Sequence, residues 1–306
     1  MFLNYKKFDF TLHFDKAIHF SVPPAFIIRS VLGYQLKKLC CISQKTLCQD
    51  CHFLENCAYG SLFETILEKD NDVLTGRNRA SHPYTIQTSQ NPQDKVDTIQ
   101  FRLVLFGEYI RYFPYIYVAL QNAGKEGLLK TRIPFTITSV LSANKAILLD
   151  EHKLDTNLKA STWNLNNETD AIYEGELLVQ LLTPLRFKVN GKYTDAFEAK
   201  DFFDTLERRM VTLCSLYGSS EDVCSERLLT YTIQNRNIKW KDLRHYSARQ
   251  KKAMKLGGCI GDFNLSGTFS KRDISLLEFG ELFQVGKNTN FGLGEIKIWN
   301  KTERRK

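Results

Sequence analysis

The stretch Val285-Gly286-Lys287-Asn288-Thr289-Asn290-Phe291-Gly292-Leu293-Gly294-Glu295-Ile296-Lys297-Ile298-Trp299 decides the fold. Just before it, Leu276, Leu277, Phe279, Leu282 and Phe283 recur at helical spacing. Gly286 then reads as a helix stop. Gly292 and Gly294 supply backbone angles closed to other residues and let another chain approach closely. Ile296 and Ile298 start a strand. The order is therefore helix, glycine-rich basic loop, strand. Main-chain N–H groups in such a loop can form an anion-binding nest, and Lys287 adds a full charge. A tight helix-to-strand turn accounts for the same glycines, so the rest of the chain has to choose.

Helix, Gly-Lys turn and strand also occur earlier. Pro114 suits a helix first turn, Gly124 reads as the stop, and Ile133 to Val140 is a strand. This is an internal repeat, and each copy fits the last third of a βαββαβ unit. The first thirds fit as well. Phe8, Phe10, Leu12 and Phe14 alternate with polar residues as in a half-buried strand. A helix opens at Pro23-Pro24 and carries Phe26, Ile27, Val31, Leu32, Leu36 and Leu39 on one face. A second strand spans Thr98 to Phe106. In the second half, Glu176 to Val189 is a strand and Asn190-Gly191 a turn. Phe197 to Leu216 is a helix with Phe202, Phe203, Leu206, Met210, Leu213 and Leu216 inward and Arg208 and Arg209 elsewhere. The aromatic run Tyr109, Tyr112, Phe113, Tyr115 and Tyr117 is read as core packing rather than as a base-stacking platform.

Charge is unevenly placed. The chain of 306 residues carries a formal net charge of +8. Residues 235–306 hold 16 Lys and Arg against 7 Asp and Glu, so the whole excess lies in the last quarter. A block of that size beside a glycine-rich loop favours a polyanion such as nucleic acid over a merely solvated face. No apolar run is long enough to span a bilayer, and the N-terminus does not read as a signal peptide. The expected location is cytoplasmic.

Five of the eight cysteines crowd between Cys40 and Cys57. Without an export signal this points to a metal site more than to disulfides. Cys48-x-x-Cys51 brings two thiolates to one ion. Cys57 and Cys41 (or Cys40) complete a tetrahedral set. Zinc and an iron–sulfur cluster both suit four thiolates, and a closed site of this kind is structural.

Several of these segments resemble one family. The closing Gly-Lys-Asn-Thr-Asn-Phe-Gly-Leu-Gly-Glu-Ile is similar to the last loop of the CRISPR-associated endoribonucleases that cut precursor CRISPR RNA within its repeats, the sixth Cas family of the repeat-associated mysterious protein superfamily. So is Arg29 to Leu36 on the first helix. So is Cys57-Ala58-Tyr59-Gly60-Ser61-Leu62-Phe63-Glu64, where a Cys-rich insert precedes a Phe-Glu pair. The turn Gly124 to Gly127 before Arg132, the strand Leu177 to Lys188 with its Thr-Pro-Leu core, and the segment Trp240 to Gly261 fit too.

The resemblance implies an α+β fold of tandem ferredoxin-like (RRM-like) βαββαβ domains. Here these would be residues 1–150, with the Cys-rich insert at 40–57, and residues 170–306, with the basic segment and Gly-rich loop. It also implies metal-independent cleavage by attack of the RNA's own 2′-OH, with no catalytic cofactor, and CRISPR repeat RNA as partner. Subunits of a CRISPR effector complex are further candidate partners. A non-cleaving RNA-binding subunit of such a complex would share the fold and the loop.

The family's catalytic His has no fixed position, so local chemistry guides the choice. His245 sits among Arg244, Arg249, Lys251, Lys252 and Lys255, next to Tyr246. It is the first candidate for general base, with Lys251, Lys252 and Tyr246 in support. His19, near the first helix, is the second. Arg244, Arg249, Lys255, Gly286, Lys287, Asn288, Gly292 and Gly294 are the candidate RNA contacts. A metal-dependent nuclease is disfavoured because no acidic cluster suits a two-metal site.

Overall fold

A computed structural model describes residues 1–43, 46–67, 74, 76–88, 94–129, 131–150, 153–155, 157–166, 168, 170–220, 231–247 and 252–300. The chain forms two compact units. One comprises Leu3–Thr162 with Leu216–Gly218, the other Met1–Phe2, Trp163–Ser215 and Ser219–Lys306.

The first unit runs β1 (Phe2–His19), α1 (Pro24–Cys40), β2 (Tyr84–Thr88), β3 (Lys95–Phe106), α2 (Phe113–Glu126) and β4 (Phe135–Ser142). Its sheet has the order β2-β3-β1-β4, extended at the β4 edge by the short strand Lys145–Ala146. All these pairings are antiparallel. Alternation on β1 buries Phe8, Phe10, Leu12 and Phe14 almost completely. Ile99, Phe101, Leu103 and Leu105 do the same on β3. Each large side chain so buried contributes roughly 1.5–3 kcal/mol. Phe8 stacks on Phe113 of α2 with centroids 3.9 Å apart, which ties helix to sheet. Of the aromatic run, Tyr112, Phe113 and Tyr117 are buried in this core as expected of packing residues, whereas Tyr115 is 48% exposed.

The helix stop expected at Gly124 lies elsewhere. α2 continues to Glu126, and Gly127 takes the left-handed φ of 80°. Gly124 is needed for a different reason: a Cβ there would collide with the Phe135 carbonyl.

The second unit repeats the pattern with β5 (Ala171–Leu185), α3 (Ala199–Tyr217), β6 (Thr232–Lys241), β9 (Gly258–Ser270), α4 (Lys271–Phe283) and β10 (Ile296–Asn300). Between β6 and β9 a small hairpin is inserted, β7 (Arg244–Ser247) paired with β8 (Lys252–Lys255). The main sheet has the order β6-β9-β5-β10, again antiparallel. The two units thus share element order and strand order. Phe202, Phe203, Leu206, Met210 and Leu213 of α3 are fully buried. Phe263 of β9 packs edge-on against Phe197 and Phe202. α4 buries Leu276, Leu277, Phe279 and Phe283. A capping box between Ser270 and Asp273 satisfies its first amides.

Candidate nucleic-acid interface

The loop from Val285 to Glu295 is held down at many points. The Lys287 N–H donates to the Arg186 carbonyl at 2.7 Å, and the Gly294 N–H donates to the Pro184 carbonyl at 3.0 Å. The Val285 N–H donates to the Gly294 carbonyl at 2.8 Å, and the Glu295 N–H to Thr183 Oγ1 at 2.9 Å. Thr289–Phe291 is one 3-10 turn, closed by Gly292 N–H to Thr289 carbonyl at 2.9 Å. The Thr-Pro-Leu strand end of β5 is therefore the platform on which the loop rests. Gly286 and Gly294 adopt φ of 82° and 77°, and a Cβ at either would meet the carbonyl of Arg186 or of Val285. Glycine is required there on both counts.

This changes the reading of the glycines. The amides of Gly292 and Gly294 are spent inside the protein, and both residues are buried. They shape the turn and leave no open nest at those two positions. Lys287 is exposed, with Gly286 and Asn288 partly so. The α4 end is also set differently from the expected Gly286 stop: Gln284, fully buried, takes φ of 62° directly after the helix.

Beside the loop, β5 runs out through Arg186 and Lys188 to a two-residue hairpin with Lys192 and Tyr193. The Arg186 guanidinium lies over the Tyr193 ring at 3.7 Å, and Lys188 Nζ stands 5.2 Å from the same ring. Arg186 Nη1 donates to the Gly257 carbonyl at 2.5 Å, linking this cluster to the β8–β9 junction. Among the described residues Arg186 Nε has no hydrogen-bond partner. The sequence reading assigned no role to Arg186, Lys188 and Tyr193. The available signal was two cations flanking Phe187 immediately after the Thr-Pro-Leu core.

The segment around His245 is the β7–β8 hairpin. His245 pairs with Met254, Tyr246 with Ala253, Arg244 with Lys255 and Ser247 with Lys252. The register continues that of β6 and β9, where Lys241 pairs with Gly258. Lys255 is exposed. Arg249 and Lys251 lie outside the described residues, as do the side chains of Arg244, His245, Tyr246 and Lys252. His19 is exposed at the end of β1, opposite Lys95, and belongs to the first unit, whereas His245 belongs to the second. Of the other described histidines, His82 Nδ1 is 3.0 Å from the Leu62 carbonyl, His13 is exposed with Nδ1 3.5 Å from Thr98 Oγ1, and His52 is exposed in the Cys-rich segment.

Cys41, Cys48, Cys51 and Cys57 come to one cavity, together with Cys40. They do not stand in ready ligating geometry. Among the described residues no group of three or more His, Cys, Asp or Glu is arranged to hold a metal ion. These cysteines are gathered as free thiols.

A family model for the CRISPR-associated endoribonuclease Cas6 matches residues 179–296, the stretch that contains the loop, its platform and the hairpin. Over those residues the chain carries a Cas6 domain match. A second model, an N-terminal domain named AF_1859_N, matches residues 3–160, more than half of the chain, and to that family the chain belongs. An uncharacterized protein of Archaeoglobus fulgidus is 25% identical over 282 residues, covering 88% of this chain and 89% of the relative.

Solved Cas6 structures share the fold. A Cas6 product complex aligns with a TM-score of 0.58 and 15% identity, covering 96% of this chain and 100% of the other. Thermus thermophilus Cas6 aligns at 0.55 and 13%, covering 97% and 99%. A partial Cas6-RT-Cas1–Cas2 complex aligns at 0.59 and 15%, covering 97% of this chain and 46% of that longer one. Among the described residues no helix is long and apolar enough to cross a membrane.

Proposed function

We propose that this protein binds CRISPR repeat RNA and cuts precursor CRISPR RNA within its repeats. The observation that carries this reading is the Cas6 match over 179–296, falling on the unit in which exposed Lys188 and Lys287 flank the half-buried Arg186. In this reading the two units are tandem ferredoxin-like domains, and the boundaries 1–150 and 170–306 describe their extent. The cations meet phosphates, and the Tyr193 face, already covered by Arg186, fixes where the guanidinium points.

Cleavage uses the RNA's own nucleophile and no metal. A base removes the 2′-OH proton, and the oxygen attacks the adjacent phosphorus. The bond to the 5′-oxygen breaks as an acid protonates it, leaving a 2′,3′-cyclic phosphate and a 5′-OH. His245 is the proposed base, since imidazole titrates near neutral pH. Lys251, Lys252 and Tyr246 are proposed to steady the phosphorane. His19 is the alternative base. The relatives solved with Cas1–Cas2 make a CRISPR complex a proposed partner here too.

The test is incubation of a repeat-containing RNA with the protein in EDTA. Cleavage at one position in each repeat, with cyclic phosphate ends, is expected. Tight binding without a cut would replace the enzyme by a binding subunit of a CRISPR complex. A cut that needs added divalent metal would overturn the mechanism.

A further inference from the structure

The segment 41–57 poses a physical question separate from RNA. Its two short 3-10 helices, Cys48–Asp50 and Leu54–Asn56, bury no residue at all. Ile42, Leu47 and Phe53 are 75%, 64% and 60% exposed. Ordering a chain costs conformational entropy at every residue, and this segment recovers almost none of it through apolar burial. Where a core is missing, cross-links supply the stability. No disulfide is present among the described cysteines.

What the segment does bury toward is sulfur. Its cavity, of about 30 Å³, is lined by all five of Cys40, Cys41, Cys48, Cys51 and Cys57, together with Ile42, Phe53, Leu54 and Tyr59. The turn from Cys48 to Cys51 is closed by the Cys51 N–H donating to the Cys48 carbonyl at 3.2 Å, and both residues line the cavity. The Gly60 N–H already donates to Cys57 Sγ at 3.5 Å, a contact that strengthens when the sulfur is a thiolate. Lys37, in the last turn of α1, lies 5.6 Å from the centre of the Tyr59 ring that also lines the cavity, and its charge offsets part of a tetrathiolate's.

We propose that Cys41, Cys48, Cys51 and Cys57 bind a single divalent cation of the zinc class, which staples the segment 41–57 onto the end of α1. The cavity has room for about one or two water-sized groups, which suits one ion rather than a four-iron cubane. Cys41 follows the helix in extended conformation and is free to turn inward, whereas Cys40 is the last helical residue. Binding takes the protons from four thiols and replaces the Cys41 Sγ contact to the Ser43 carbonyl, now 3.3 Å, by a bond to the metal. The thiols share one cavity but are not in ligating geometry, so binding has to draw the four sulfurs together. The site is closed and serves structure, whatever the catalytic reading proves to be.

The experiment is metal analysis of full-length protein purified without chelator, with thiol titration alongside. Cys214 and Cys259 are fully buried and their thiols are pushed up to about 12 by burial, so in the folded protein they stay silent. About one zinc per chain is expected. The cluster thiols should react at least tenfold faster after a strong chelator, with the far-UV spectrum of the rest of the chain retained. Cobalt in place of zinc should give the intense visible bands of a tetrahedral thiolate site. Cys48→Ser and Cys41→Ala should lose the metal and Cys40→Ala should keep it. Protein free of zinc whose cluster thiols react equally fast with and without chelator would overturn the proposal. Iron with acid-labile sulfide in place of zinc would overturn it equally. If the Cys variants fail to fold, the chelator and cobalt measurements on unaltered protein still decide.

Discussion

The Arg209 guanidinium of α3 donates from Nε to the Gln284 carbonyl at 2.6 Å and from Nη2 to the Phe283 carbonyl at 2.7 Å. A buried cation thus caps the C-terminal carbonyls of α4, where the helix dipole is negative and the glycine-rich loop begins. Arg209→Leu leaves those carbonyls without their donor. It should cost about 2–4 kcal/mol, the scale of charge-assisted bonds plus the unmet acceptors. Urea unfolding of the two proteins measures this. An unchanged midpoint would show that the cap is idle.

Gly294→Val should damage stability before it damages binding. Its φ of 77° and its approach to the Val285 carbonyl both exclude a branched side chain. Strain of about 1–3 kcal/mol or more follows, seen as a lower Tm. RNA affinity measured well below that Tm should then stay within about threefold of the parent. A variant of full Tm that binds RNA much more weakly would put Gly294 against the RNA itself.

Arg186→Ala and Lys287→Ala test the cationic platform. Each should weaken binding to repeat RNA and reduce the slope of log affinity against log salt by about one, the signature of one lost phosphate contact. Fluorescence anisotropy across a salt series gives both quantities. Slopes equal to the parent's would remove these residues from the interface.

His245→Ala should lower the single-turnover cleavage rate by about a hundredfold or more, while affinity for the repeat changes little. His19→Ala, assayed in parallel, should lose far less. The reverse order would move the active site to the first unit, since the two histidines lie in different units.

Sequence alone determined the elements and their repetition. Alternation of Phe8, Phe10, Leu12 and Phe14, and the helical spacing of Phe202, Phe203, Leu206 and Met210, are local patterns. Local patterns survive because a strand or helix face must be apolar wherever it is buried. The gathering of five cysteines was also legible, as their spacing is short. Tertiary structure alone decided the rest. Helical spacing set Arg209 off the apolar face, and it does not reveal that another helix ends beside it. Gly257 is 71 positions from Arg186 and meets it only because β5 pairs with β9, while Tyr193 meets it because the chain turns back through the short hairpin. Gly292 and Gly294 looked like open donors, yet their amides are satisfied by Thr289 and Pro184. A buried N–H takes whatever acceptor the fold brings to it, and no local pattern names that acceptor.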